Sequence, residues 1–176
     1  AKMLSIVKLL SGGGLFETGA GGSAPKHVQQ LTEENHLRWD SLGEFCALGE
    51  SLNFLAKTNN NPKAAVLGAA AESATQELLN NNKSPSRKVG EEDNRTSHFY
   101  FALYWAKALA KQKQDPEIAK YFEPISKSLT ENEDGIIKEI MELQGHEADL
   151  GGYYHTDPVK VQKIMRPSKI FNQIIS

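Results

Sequence analysis

Between Ser97 and Lys111 the chain is apolar on almost every side. Phe99, Tyr100, Phe101, Leu103, Tyr104, Trp105, Ala106, Ala108, Leu109 and Ala110 leave almost no face for water. A helix of that kind sits inside a protein, so the remaining sequence must supply the helices that surround it. The segment after Ser41 opens with Ser41-Leu42-Gly43-Glu44, which reads as a capping box. Leu42, Phe45, Cys46, Leu48, Gly49, Leu52 and Leu55 then recur at helical spacing and predict one apolar stripe. Asn59-Asn60-Asn61-Pro62 is a break, with Asn61 as cap and Pro62 as first helical residue of an alanine-rich helix running to about Leu79.

Asn80 to Gly90 is polar, contains Pro85 and lacks a helical period, so it predicts a loop. Thr96 and Ser97 read as capping residues of the buried helix. Asp115-Pro116 starts a further helix that meets Pro124, and Thr130-Glu131-Asn132-Glu133 reads as a second capping box. The helix it opens runs through Leu143, with Gly145 at the helix-ending position. Asp149 to Tyr154 is a turn-rich connector, and Asp157-Pro158 and Ser168 start two short closing helices. Ala1 to Leu10 reads as a strand or short helix. The predicted fold is mainly α, a single region over residues 1–176, with a short extended N-terminal segment and a glycine-rich loop.

The net charge of −2 and the 24% of charged residues give no bias toward nucleic acid or a membrane surface. The single cysteine, Cys46, rules out an internal disulfide, and its apolar neighbours read it as structural in a reducing, cytoplasmic setting. No apolar run approaches the ~20 residues of a membrane span.

The glycine-rich stretch is Gly12-Gly13-Gly14-Leu15-Phe16-Glu17-Thr18-Gly19-Ala20-Gly21-Gly22-Ser23-Ala24-Pro25-Lys26-His27. A glycine loop that feeds a helix N-terminus offers free N–H groups and the positive end of a dipole, which suits a phosphate. A flexible linker is the alternative, but Leu15, Phe16 and Pro25 sit among the glycines and Lys26 and His27 follow at once, whereas disordered linkers are usually poorer in large apolar residues. Basic residues gather at loop-to-helix boundaries: Lys26 and His27 after the glycines, Arg38 before a predicted helix, Arg87 and Lys88 in the polar loop. Singly each reads as a solvated charge. Together they suit paired hydrogen bonds to a phosphate.

The five histidines lack metal-site spacing and read as surface or packing residues. No glycine-flanked serine nucleophile, phosphate-loop lysine or catalytic carboxylate pair can be picked out.

The stretch Gly12 to Gln30 resembles the signature loop of the monomeric-type NADP-dependent isocitrate dehydrogenases. So do Leu37-Arg38-Trp39-Asp40-Ser41-Leu42-Gly43-Glu44-Phe45, Lys83-Ser84-Pro85-Ser86-Arg87-Lys88-Val89-Gly90-Glu91, Asp93-Asn94-Arg95 with Ser97-His98-Phe99-Tyr100, and Gly151-Gly152-Tyr153-Tyr154 with Met165-Arg166-Pro167-Ser168. The resemblance implies oxidation of isocitrate with NADP and loss of carbon dioxide to give 2-oxoglutarate, helped by magnesium or manganese. It places Gly22, Ser23 and His27 at the adenosine end of NADP, Arg38 and Arg87 with His27 around its 2′-phosphate, and Asp40 at the adenine or ribose. It also implies that the chain is the C-terminal part of a discontinuous α/β domain, a fragment whose metal-binding and proton-transfer residues lie elsewhere. Such a fragment is expected to be inactive and to self-associate through an uncovered apolar face. The alternative is a stand-alone helical binding or scaffold module derived from that enzyme.

Overall fold

A computed structural model of the protein describes residues 24–176, and the glycine-rich stretch and the predicted N-terminal extended segment lie outside them. The described residues form eight α-helices and no strand: α1 (Ala24–Glu34), α2 (Leu42–Thr58), α3 (Pro62–Asn80), α4 (Asn94–Lys111), α5 (Pro116–Glu131), α6 (Glu133–Met141), α7 (Pro158–Met165) and α8 (Lys169–Ile174). Helices α2, α3, α4 and α5 pack on one another in chain order, and α6 and α8 close over α4 and α5.

The apolar segment is α4, and it sits at the centre as its composition requires. Phe99, Leu103 and Leu109 are wholly buried, with Ala71, Ala74 and Leu78 of α3, Leu129 of α5 and Ile136 and Ile140 of α6 around them. Alanines on α3 let the helices approach closely. The tightest crossing is between α2 and α3, where a Cβ on Gly68 would strike the Asn53 side chain and come within 3.2 Å of the Asn53 backbone nitrogen.

A second, smaller core lies beneath α1. Val28 and Leu31 of α1 meet Leu37 and Trp39 of the following segment, Ala148 and Leu150 of the stretch between α6 and α7, and Val161 and Ile164 of α7. That stretch is bonded along α1, with Gly145 N–H donating to Glu34 O (2.8 Å) and Ala148 N–H to Thr32 O (2.8 Å).

Asn61, Asp115, Asp157 and Ser168 cap their helices through side-chain oxygens, as the sequence suggests. Several other expectations fail for identifiable reasons. Ser41 makes no capping bond; its hydroxyl accepts from Asn94 Nδ2 (2.8 Å), Asp40 Oδ1 takes the Leu42 N–H (3.0 Å), and Glu44 accepts from Trp39 Nε1 (3.1 Å). Thr130 lies inside α5, where its hydroxyl donates back to Ser126 O, so the second capping box is absent.

The cap of α4 is Asp93, four residues earlier than Ser97, and Thr96 and Ser97 lie within the helix. Helix α6 stops at Met141, short of Leu143. Cys46 is exposed, as are Leu48, Phe54 and Leu55, so the predicted stripe of α2 is only partly covered. None of the described helices is long and apolar enough to cross a membrane.

Candidate functional site

His27 lies in the first turns of α1, Arg38 in the segment between α1 and α2, and Arg87 in the loop between α3 and α4. Sixty residues of chain separate the first from the last, yet the fold brings all three together. Burial first, then the Arg38 and Arg87 guanidiniums, holds the His27 imidazole below its ordinary value. The ring stands edge-on to Trp39, with centroids 5.6 Å apart. His27 Nδ1 and Arg38 Nε are shut from solvent without a hydrogen-bond partner among the described residues.

Buried polar atoms left unpaired are costly, and here two of them lie in a cluster of like charge. Neither the Arg38 nor the Arg87 guanidinium has an ion pair or side-chain hydrogen bond among the described residues; the arginine ion pair found there is that of Arg95. Two guanidiniums without such partners beside a half-buried imidazole have the donors that an anion with several oxygens could use.

The backbone that carries these side chains is tied down. Leu37 N–H donates to Asp93 Oδ2 (3.1 Å), Asn94 N–H donates to Leu37 O (2.8 Å), and Asn94 Nδ2 donates to Trp39 O (2.7 Å). Both neighbours of Arg38 are thus held by the start of α4.

The Arg87 loop closes on itself. Ser86 N–H donates to Glu92 O (2.8 Å), the Ser86 hydroxyl donates to Glu91 (2.5 Å), and Lys88 pairs with Glu91 (3.2 Å). Gly90 turns the loop at φ +87°, where a side chain would be strained. Lys83 fixes its start through Glu92 (2.8 Å) and over the Tyr100 ring at 4.0 Å.

Of the other site residues expected from sequence, Asp40 is exposed and spends Oδ1 on the Leu42 N–H. Lys88 pairs with Glu91 at the exposed surface of the loop, whereas the Arg87 guanidinium has no such partner among the described residues. Gly22 and Ser23 lie outside the described residues. Sequence reasoning overlooked Trp39 as a wall of the site, Gln30, whose Nε2 donates to Arg87 O (3.0 Å), and the buried pair His36 and Gln144. The polar-to-apolar reading of single residues carries no signal for such long-range pairings.

No group of three or more His, Cys, Asp and Glu side chains among the described residues is placed to hold a metal ion.

A sequence profile of the monomeric isocitrate dehydrogenase family matches residues 1–176. The chain is similar to isocitrate dehydrogenase (NADP) 2 of Psychrobacter sp. strain 13A, at 60% identity over 100% of this chain and 24% of the relative. It is 58% identical to isocitrate dehydrogenase (NADP) of Azotobacter vinelandii over the same shares, and 55% identical to isocitrate dehydrogenase (NADP) 2 of Mycobacterium tuberculosis strain H37Rv over 98% of this chain and 23% of that relative. The chain spans about a quarter of the length of these relatives.

Proposed function

The chain belongs to the monomeric isocitrate dehydrogenase family, and on that premise we propose that it holds the 2′-phosphate end of NADP through His27, Arg38 and Arg87. The observation that carries the reading is the convergence of two unpaired guanidiniums on a half-buried His27 that has an unpartnered ring nitrogen. A 2′-phosphate dianion supplies the oxygens these groups lack. NAD, with a hydroxyl in that place, leaves the cationic groups facing one another, and that repulsion selects against it. An NAD site uses an acidic residue for the 2′-hydroxyl instead.

Within the same reading Asp40, Gly22 and Ser23 line the adenosine. The chain is then the C-terminal part of a discontinuous α/β domain. Bound NADP accepts a hydride from isocitrate, in a reaction that yields 2-oxoglutarate and carbon dioxide within the tricarboxylic acid cycle of the cytoplasm. The described residues do not suit the Mg²⁺ or Mn²⁺ of that reaction. No catalytic role is assigned to this chain, and alone it has no isocitrate dehydrogenase activity. The exposed Leu48, Phe54 and Leu55 of α2 favour self-association when nothing else covers them.

Titrating the chain with adenosine 2′-phosphate and adenosine 5′-phosphate while following the His27 ring resonances tests the reading. The 2′-phosphate should shift them at concentrations where the 5′-phosphate does not. Equal shifts from both would overturn it.

A further inference from the structure

We propose that His36 is a positioning residue for the 2′-phosphate site: it clamps the loop that carries Arg87 against the segment that carries Arg38. The inference rests on the reading of His27, Arg38 and Arg87 given above. His36 is wholly buried and lies two residues before Arg38. Its Nε2 is 2.9 Å from Ser86 O, the carbonyl next to Arg87, and its Nδ1 is 2.9 Å from Gln144 Oε1.

Gln144 carries the clamp further along the loop. Its Oε1 accepts from Gly90 N–H (2.8 Å) and its Nε2 donates to Glu91 O (2.9 Å). These two backbone groups fix the carboxamide, because a flipped amide would set oxygen against oxygen and N–H against N–H. Both nitrogens of His36 therefore face oxygen atoms, one on Gln144 and one on the loop backbone, so the ring is held from both sides.

From the other side Gln30 Nε2 donates to Arg87 O, so bonds from α1, the Arg38 segment and the stretch between α6 and α7 all close on loop residues 86–91. None of these bonds uses the Arg87 side chain. Their combined effect is to set where the guanidinium stands relative to Arg38, which is what a ligand spanning both would read.

The test is to replace His36 with Phe in the full 176-residue chain, which fills the space without a donor, and to measure NADP and NAD binding by calorimetry. Gln144→Leu removes the same clamp from its other end and serves if His36→Phe does not fold. Backbone amide exchange at Lys88, Gly90 and Glu91 is followed in parallel.

The expected result is faster exchange at those amides, roughly tenfold weaker NADP binding and unchanged NAD binding. A variant whose loop exchanges faster but keeps the full preference for NADP would overturn the positioning role, leaving His36 as a packing residue. Unchanged exchange and unchanged preference would overturn the clamp itself. If the unmutated chain shows no preference for NADP, the 2′-phosphate reading fails and the positioning role fails with it, while the amide exchange still reports whether the clamp exists.

Discussion

Arg95 Nη2 lies 2.7 Å from Asp93 Oδ2, and both side chains are shut from solvent, at 1% and 0% exposure. The pair is fully bonded beyond itself. Arg95 also donates to Asn35 Oδ1 (2.8 Å), Asn35 O (2.6 Å) and Ile164 O (3.0 Å), while Asp93 caps α4 and takes the Leu37 N–H. One buried ion pair thus joins the end of α1, the Arg38 segment, the start of α4 and the end of α7.

Breaking a buried pair by removing one partner strands the other charge, at about 3–5 kcal/mol. Arg95→Met should therefore lower the unfolding free energy by about 3–5 kcal/mol, read from urea denaturation. A loss below about 1 kcal/mol, the level of a surface pair, would show that the node is not a unit of stability.

Burial lowers the His98 imidazole below its ordinary value, against the opposing effects of its bond to Asn94 O and of Asp93. A histidine with a depressed folded value binds fewer protons folded than unfolded in the window below about 6.5. Its contribution to stability is complete above that value and is lost as pH falls. The midpoint of urea unfolding should therefore drop between pH 7.5 and 5.5, and His98→Gln should drop less. An equal or steeper decline in the variant would contradict this.

His27 has the same sign in the free protein, for burial and the two arginines hold it low. A dianionic phosphate beside it raises it, so binding NADP at pH 7 should take up a proton that binding NAD does not. Calorimetry in two buffers of different ionisation enthalpy measures that uptake. It should vanish in His27→Asn, and proton release by the unmutated chain would reverse the assignment.

Most of the helical architecture was legible in the sequence because its signals are local. The all-round apolar run of α4, Asn61-Pro62, Asp115-Pro116, Asp157-Pro158 and Ser168 each specify an element from within a few residues. Ser41-Leu42-Gly43-Glu44 misled because Ser41 and Glu44 are claimed by Asn94 and Trp39, partners that only the fold supplies. The same limit applies to the site. The basic residues at loop boundaries could be read one by one, whereas His36, Gln144 and Gln30 act across 50 residues or more and leave no periodic trace.

Helix α2 leaves Leu48, Phe54 and Leu55 in water, with Phe54 at 69% exposure. Apolar patches of this kind draw partners. Light scattering over a dilution series should show a concentration-dependent mass above that of one chain, and Phe54→Asp should move it toward the monomer. A monomer at every concentration would contradict the expectation.

The most direct measurement is calorimetric titration of Arg38→Ala, Arg87→Ala and Arg166→Ala with NADP and with NAD. Arg166 bonds to Asn172 at 3.2 Å and has no part in the 2′-phosphate cluster, so it is the control. A charge-assisted hydrogen bond contributes about 1.5–3 kcal/mol. Arg38→Ala and Arg87→Ala should each weaken NADP binding by about tenfold to a hundredfold while leaving NAD unchanged, with Arg166→Ala like the unmutated chain. Equal losses for NADP and NAD in the first two variants would mean that these arginines support the fold and do not hold a 2′-phosphate.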